Sequence, residues 1–450
     1  MRDILISLAI FGALPFVFRI PKLGVYLWTW VSMMVPHRLT YGFAHRLPFA
    51  QAIAVVTLIS LLFTKQRKPF PLNSVTVTLL ALFGWMCVTS LFALNTFDLV
   101  LERLVLFTKI LVMLFATLML LRGRHDIERL IWVVTLSIGF YGFKGGLWTV
   151  LTGGASRVWG PPGGFLEDNN SLAVGLVMIL PFLYYFFNTS KRRLIRWLLG
   201  LGLTLVAFSV LGSQSRGALL AVVAMATMLG LKSRHKVRAI SAILLIGSMA
   251  IAFMPDSWNK RMESVQNYQE DGSAMSRLYT WQTLFNVAID RPLVGAGFRA
   301  DSPEVFARYA PSAGKFLTDD GTVFVAHSIY FQALGEHGFP GLLLFILVGW
   351  TAWRKATQLA AQARHDPEFA EWVPALMSMV QVSLIGFAVG GAFLSLMLCD
   401  LPYYVVSYVV LVDATMRGRL LQRAEAASAP AGRPDAPRAL SYSKSPVSSS

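Results

Sequence analysis

Charge and cysteine are the scarce ingredients of this 450-residue chain. Only 14% of its residues are Asp, Glu, Lys or Arg, against 55% hydrophobic, a balance far outside that of a soluble globular domain. There are two cysteines, Cys87 and Cys399, both within or at the edge of apolar stretches, where they read as small buried hydrophobes rather than as a bridge. Metal-ligand spacing is missing too: His327 and His337 stand ten residues apart with no cysteine beside them, and Asp319-Asp320 is a lone acidic pair. No cleavage pattern follows the first apolar stretch, so the N-terminus reads as retained, and no internal repeat is visible.

What the chain has is apolar length. Stretches that span a membrane, or nearly so, cover 50–63, 74–94, 99–121, 127–151, 172–187, 194–211, 217–231, 239–254, 328–353, 373–398 and 402–416. Two shorter ones, 4–18 and 23–35, are split by Arg19, Pro21 and Lys22 and form a re-entrant pair or one broken span rather than two full ones, for twelve or thirteen in all. The expected fold is an all-α polytopic membrane protein of about twelve transmembrane helices. Lys65, Arg67 and Lys68 form one basic cluster, and further clusters follow at Arg122 to Arg129, Lys191 to Arg196, Lys232 to Arg238 and Arg354-Lys355. They alternate with poorly basic loops, and short cytoplasmic loops collect Lys and Arg. The formal charge of +16 is then mainly topological, and no nucleic-acid partner is needed to explain it.

Domain organisation follows: N-terminal transmembrane helices over 1–254, an outer loop subdomain over 255–326, C-terminal transmembrane helices over 327–416, and a cytoplasmic, largely disordered Ala/Pro/Ser-rich tail over 417–450. The outer loop holds seven basic and nine acidic residues. Within it, Ser276 to Ile289 has helical periodicity through Leu278, Trp281, Phe285 and Ala288, Arg291-Pro292 ends the helix, and Gly295 and Gly297 permit a tight turn back to the membrane.

Against this topology, several basic residues lie on the side such residues normally avoid: Lys109, Lys144, Arg157, Arg216 and Arg277 all map to the outer half. An anionic ligand there would explain them. Lys109 is mid-span, where a cation costs on the order of 3 kcal/mol unless it meets a partner such as Glu102 or Asp98, or a cavity. Lys144, flanked by Gly142, Gly145 and Gly146, either snorkels or lies where another backbone or a headgroup approaches closely. Arg157 precedes Glu167-Asp168-Asn169-Asn170, which combines ordinary helix caps with hydrogen-bonding partners for sugars. Ser213 to Gly217 opens directly into an apolar helix, as a Ser cap or as a phosphate cradle with Arg216 gripping two oxygens. His327 precedes the cap residue Ser328, and a neutral imidazole there could take a proton from a hydroxyl.

The Ser215-Arg216-Gly217 turn, the segment Ser276-Arg277 with Trp281, the turn Arg291 to Gly297 and the His327 segment together resemble the O-antigen ligase and polymerase superfamily of bacterial inner-membrane glycosyltransferases. The opening Pro36-His37-Arg38-Leu39-Thr40-Tyr41-Gly42 resembles the branch of exosortase-associated O-glycosylation ligases. The resemblance implies a GT-C-like helical bundle with one large periplasmic loop, an undecaprenyl-pyrophosphate-linked glycan as donor, and a hydroxyl of lipid A-core or protein as acceptor. It implies inverting transfer without metal or other cofactor, with His327 as the essential histidine and Arg216 and Arg277 on the pyrophosphate. Lys109, Lys144 and Arg157 do not align with it and are additional candidates for donor or acceptor contacts from depth and charge; Glu167 is a further such candidate, or shares the base role. Two rivals stand beside the ligase. One is a polymerase of the same superfamily. The other is a flippase or transporter of a lipid-linked anion, for which Gly139 to Gly146 would be a broken helix.

Overall fold

The computed structural model describes residues 1–232, 272–311 and 323–428. These hold no strand and fourteen α-helices: α1 (Arg2–Arg19), α2 (Pro21–Met34), α3 (Phe49–Phe63), α4 (Ser74–Leu91), α5 (Phe97–Leu120), α6 (Arg124–Thr152), α7 (Asn169–Thr189), α8 (Arg193–Gly212), α9 (Arg216–Lys232), α10 (Gly272–Asp290), α11 (Pro303–Tyr309), α12 (Ile329–Ala363), α13 (Val373–Gly390) and α14 (Asp400–Ser428). Seven of them, α4 to α8 with α12 and α13, are long and apolar enough to cross a membrane. The chain is an all-helical polytopic membrane protein. The expected span over 239–254 and parts of the outer loop and tail lie outside the described residues.

The first two apolar stretches form a pair. Asp3 at the head of α1 accepts from the amides of Gly42 and Ala44, beyond the end of α2, at 3.0 and 3.1 Å. At the other end, Phe18 O accepts from Ser60 of α3, and Lys22 meets Asp126 at the head of α6 at 2.6 Å. So α1 and α2 run in opposite directions along the bundle. Basic residues gather where Lys22 lies. Lys68 N donates to Met119 O, Arg122 to Pro69 O, and Arg124, Arg419 and Arg423 meet Glu371, Glu368 and Asp366 of the short α12–α13 connection. This is the basic end; the opposite one is the far end.

Glycines decide two features of the bundle. The run Gly139 to Gly146 does not break α6, which is continuous from Arg124 to Thr152. Its glycines are instead an approach surface for α8: a Cβ on Gly146 would run into the carbonyl oxygen of Leu205. The break falls in α12, at Gly338 (φ 67, ψ −171), two residues before Pro340. Pro340 has no N–H for the carbonyl of Glu336 four residues earlier. Gly297 N supplies that bond at 2.9 Å, Ala296 N bonds Gly335 O at 2.8 Å, and Phe339 N turns to Pro292 O at 2.9 Å. Gly295 (φ 63) fits only without a side chain, since its Cβ would lie within 3 Å of backbone atoms of Gly335 to Gly338. Thus the Arg291 to Gly297 turn takes over the hydrogen bonds that the kink releases.

Two expectations need correction. α10 does run through 276–289, but of the expected periodic residues Leu278 and Phe285 are exposed and Ala288 is buried, and its inner face is Ser276, Tyr279, Thr280, Thr283, Leu284, Val287 and Ala288. Leu284 and Val287 form a small separate core with Ala296, Ala300, Val305 and Tyr309. Secondly, α14 does not stop near residue 416 but continues to Ser428, held by the Arg419 and Arg423 ion pairs.

The α6–α8 contact gives a test. Gly146→Val is expected to cost about 1–3 kcal/mol or more through overpacking, and to lower the thermal midpoint and monodisperse yield in detergent. Gly84→Ala, on α4 with nothing within 4 Å of its Cβ, is expected to be neutral or to stabilise by roughly 0.5–1 kcal/mol.

Candidate functional site

The extended segment before α12 carries His327 in the left-handed region (φ 43), a conformation that costs a non-glycine residue of order 1–3 kcal/mol and persists only where its surroundings impose it. Those surroundings are specific. His327 N donates to Ser395 Oγ at 2.8 Å. Ser328 caps α12, its hydroxyl accepting from Phe331 N. Trp281 of α10 donates its indole N–H to Ala326 O at 2.8 Å and stacks on Phe331, with centroids 5.0 Å apart. Arg277 precedes Trp281 by four residues and so shares its face of α10.

Electrostatics tie this face to a second element. Burial pushes the His327 imidazole below its ordinary value of 6.5, the Arg277 guanidinium pushes it further, and the Asp168 carboxylate pulls the other way. The imidazole is therefore neutral at pH 7, able to accept a proton. Asp168 caps α7 through the amides of Asn170 and Ser171, and Asn169 beside it donates to Ser213 O at 2.7 Å. Ser213 begins the turn that opens α9; Ser215 Oγ accepts from Ala218 N, and Arg216 is the first helical residue. Gly217 abuts the side chain of Phe393, two residues before the Ser395 that holds His327. Through Asn169 and through Phe393, the Arg216 turn joins the neighbourhood of His327 and Arg277.

The remaining candidates are placed differently. Glu167 staples its own loop: its side chain accepts from Gly163 N at 2.9 Å and its carbonyl from Gly160 N at 2.8 Å. Lys109, Lys144 and Arg157 are exposed, and no contact among the described residues joins them to His327. Nor does Lys109 pair with Glu102 or Asp98. The sequence marked Asp168 as a helix cap or sugar contact but not as a partner of His327, and Ser395 carries no motif.

A second polar centre lies deeper on α12. His337 is fully buried, its Nδ1 2.7 Å from Thr89 Oγ1, its carbonyl accepting from Trp85, and its ring edge-on to Phe298 at 4.7 Å. It is a packing histidine. Glu336 accepts from Arg299 N at 3.2 Å, and Arg103 of α5 lies within electrostatic reach of Glu336 and Asp301. Burial raises the Asp301 carboxyl against the pull of Arg299 and Arg103. Among the described residues no three His, Cys, Asp or Glu side chains gather as a metal-ligand group.

A helical bundle with its basic clusters gathered at one end, and a histidine near two arginine-bearing helices at the other, defines a multi-pass membrane protein with a polar site at one end of the bundle. Residues 201–346 match the O-antigen ligase family, and residues 1–191 match a family of unknown function (DUF5935). The exopolysaccharide production protein ExoQ of Rhizobium meliloti (strain 1021) is 27% identical over 227 residues, 48% of this chain and 48% of the relative, so the chain spans about half the length of the curated relative it matches. Residues 201–346, which hold Arg216, Arg277 and His327, are thus similar to the O-antigen ligase family, in line with the resemblance those segments carry.

Thr89→Val keeps the shape of the residue beneath His337 but strips a buried ring nitrogen of its partner. The expected loss is about 1–3 kcal/mol, read as a lower thermal midpoint, with Thr89→Ser retaining most of the stability.

Proposed function

We propose that this chain is an O-antigen ligase-type glycosyltransferase of the bacterial inner membrane, its far end facing the periplasm. It moves a glycan from undecaprenyl pyrophosphate to a hydroxyl of lipid A-core or of a protein. The observation that carries the reading is the placement of His327 in the joint field of Arg277 and Asp168, beside the turn that bears Arg216. All three candidate site residues fall inside the matched ligase region.

In this reading the acceptor hydroxyl gives its proton to His327 while its oxygen bonds the anomeric carbon from the side opposite the pyrophosphate. The bond from that carbon to the pyrophosphate oxygen breaks, its electron pair leaves with the phosphate, and the configuration inverts. Arg216 and Arg277 offset the charge that develops on the leaving group, in a partly water-excluded site where such contacts act most strongly. That role is the one a divalent metal fills in other transferases, so the mechanism proceeds without one. An apolar groove of about 470 Å³ begins at Ile329 and Tyr330 and runs between α12, α13 and α14 to Trp353, a berth for the polyprenyl chain beside the chemistry. Arg157 and Glu167, on the loop that carries Asp168, and Lys109 and Lys144, facing outward from α5 and α6, are further candidates for donor or acceptor contacts.

A polymerase of the same superfamily is the second reading, favoured by the similarity to an exopolysaccharide production protein. Deletion separates the two. Glycan polymer left on the lipid carrier marks a ligase, and loss of long chains marks a polymerase. The transporter reading has lost the broken helix at Gly139 to Gly146 on which it leaned.

In proteoliposomes with purified lipid-linked glycan and acceptor, His327→Ala is expected to lower transfer by about 10²- to 10⁴-fold, the usual worth of a general base, while donor binding persists. Arg216→Ala is expected to weaken both. Normal ligation by the His327 variant removes the assignment. The acidic limb of the pH–rate profile should fall below 6.5, because the neutral imidazole is the active form and its pKa is depressed. Asp168→Asn keeps the α7 cap but deletes the one charge that raises that pKa, so the limb should move to still lower pH; an upward move overturns the reading.

A further inference from the structure

Nearly all of one far-end cavity is built by the region that matches a family of unknown function. This cavity, of about 420 Å³, is lined from the end of α2 and the turn after it (Ser32, Val35, His37, Arg38), from α5 (Arg103) and from the loop 161–166. Asp400, at the head of α14, is the one lining residue from outside residues 1–191. Its volume falls within the roughly 300–1,000 Å³ typical of small-ligand sites.

The backbone makes the cavity at a cost. Val35 ends α2 in the left-handed region (φ 49, ψ 50), which is a genuine outlier for a β-branched residue. Strain of this kind collects where the chain must present side chains in a set direction. Here it leads into the short turn Pro36–Leu39, whose His37 and Arg38 line the cavity. Arg38 lies against Gly163 on the opposite wall, and its guanidinium is 3.1 Å from His45 Nε2. His37 has a buried Nδ1 with no hydrogen-bond partner among the described residues. Asp400 is buried and accepts from Ser32 Oγ at 2.6 Å.

Two arginines, a histidine and a carboxylate lining one cavity suit a ligand that carries both an oxyanion and hydroxyls: arginines grip the oxyanion, and the carboxylate accepts from hydroxyls. Phe165 adds an aromatic face to the lining. Two links connect the cavity to the candidate active site. The loop 161–166 leads directly into Asp168, and Arg103 is in electrostatic reach of Glu336 on the helix that His327 precedes.

We infer that this cavity recognises an anionic sugar, a saccharide unit bearing phosphate or carboxylate, and that it thereby selects the acceptor. The second clause rests on the ligase-type reading; the first does not. The test is calorimetric titration of the purified full-length chain in detergent with glucose 6-phosphate, glucuronate, glucose and inorganic phosphate. At least one anionic sugar should bind about tenfold or more tighter than glucose and than phosphate alone, and the stronger of the two identifies the oxyanion. Arg38→Gln, at an exposed position, and Arg103→Gln should each weaken that binding by about tenfold or more. Ala50→Phe, which narrows the cavity from α3 without changing charge, should do the same.

Equal affinity for glucose, or full affinity in both arginine variants, overturns the site. His327→Ala should bind the sugar as the parent does, so failure of the histidine assignment leaves this result standing. In the transfer assay, Arg38→Gln should raise KM for an anionic acceptor with kcat little changed. An unchanged KM overturns the acceptor role alone.

Discussion

A helix that breaks inside an apolar layer must hand its released backbone groups to other donors and acceptors, because each one left unpaired there costs several kcal/mol. In this protein the recipient is the turn after α10. Gly335 O and Glu336 O take the amides of Ala296 and Gly297, and Phe339 N turns to Pro292 O. This exchange fixes two things at once. It anchors α10, and with it Arg277 and Trp281, against the bundle. It also makes the stretch from Ser328 to the kink a short rod that carries His327 at its tip, clamped a second time by Trp281 on Ala326 and by Ser395 on the His327 amide. The strained backbone of His327 is sustained by that double hold.

The second organising force is charge sorting. At the basic end, guanidiniums are consumed by the carboxylates of the α12–α13 connection and by backbone carbonyls. The far end keeps cations of a different kind, set among acids: Arg277 and Asp168 both act on His327, and Arg103 acts on the half-buried Asp301 and the buried Glu336. In a medium with little water such juxtapositions act over longer distances than they would at a protein surface. They depress the imidazole where a base is wanted and leave positive charge where a diphosphate is proposed to bind.

The architecture was legible because the signals that define it are local. Hydropathy found the apolar helices, seven of which among the described residues are long enough to span against the twelve or so expected, and loop charge found the basic end. The site was legible only in part. Arg216, Arg277 and His327 stand in recognisable segments, but the contacts that converge on them run through Asn169 to a carbonyl, through Phe393 to a glycine and through Ser395 to an amide. Such links leave no pattern in a sequence, since a backbone atom has no residue type. The break in α12 is the instructive case. A run of glycines at 139–146 looked like the weak point, yet helical glycines without proline serve as approach surfaces as readily as hinges. Gly338-Phe339-Pro340 removes a hydrogen bond outright, and that was the signal to weigh. Lys109 stands exposed at mid-span, and nothing in the structure explains it.

The exchange at the kink is made wholly between main-chain atoms, so it is blind to the side chains the turn displays. What it cannot tolerate is an added methyl group: Gly295, Gly297 and Gly338 each have backbone or side-chain atoms where a Cβ would stand. Sequence drift in this turn is therefore free at Leu293 and Val294, whose side chains take no part in these bonds, and forbidden at three bare positions. The signature of the joint, looked for across distant relatives, is a spacing of missing atoms.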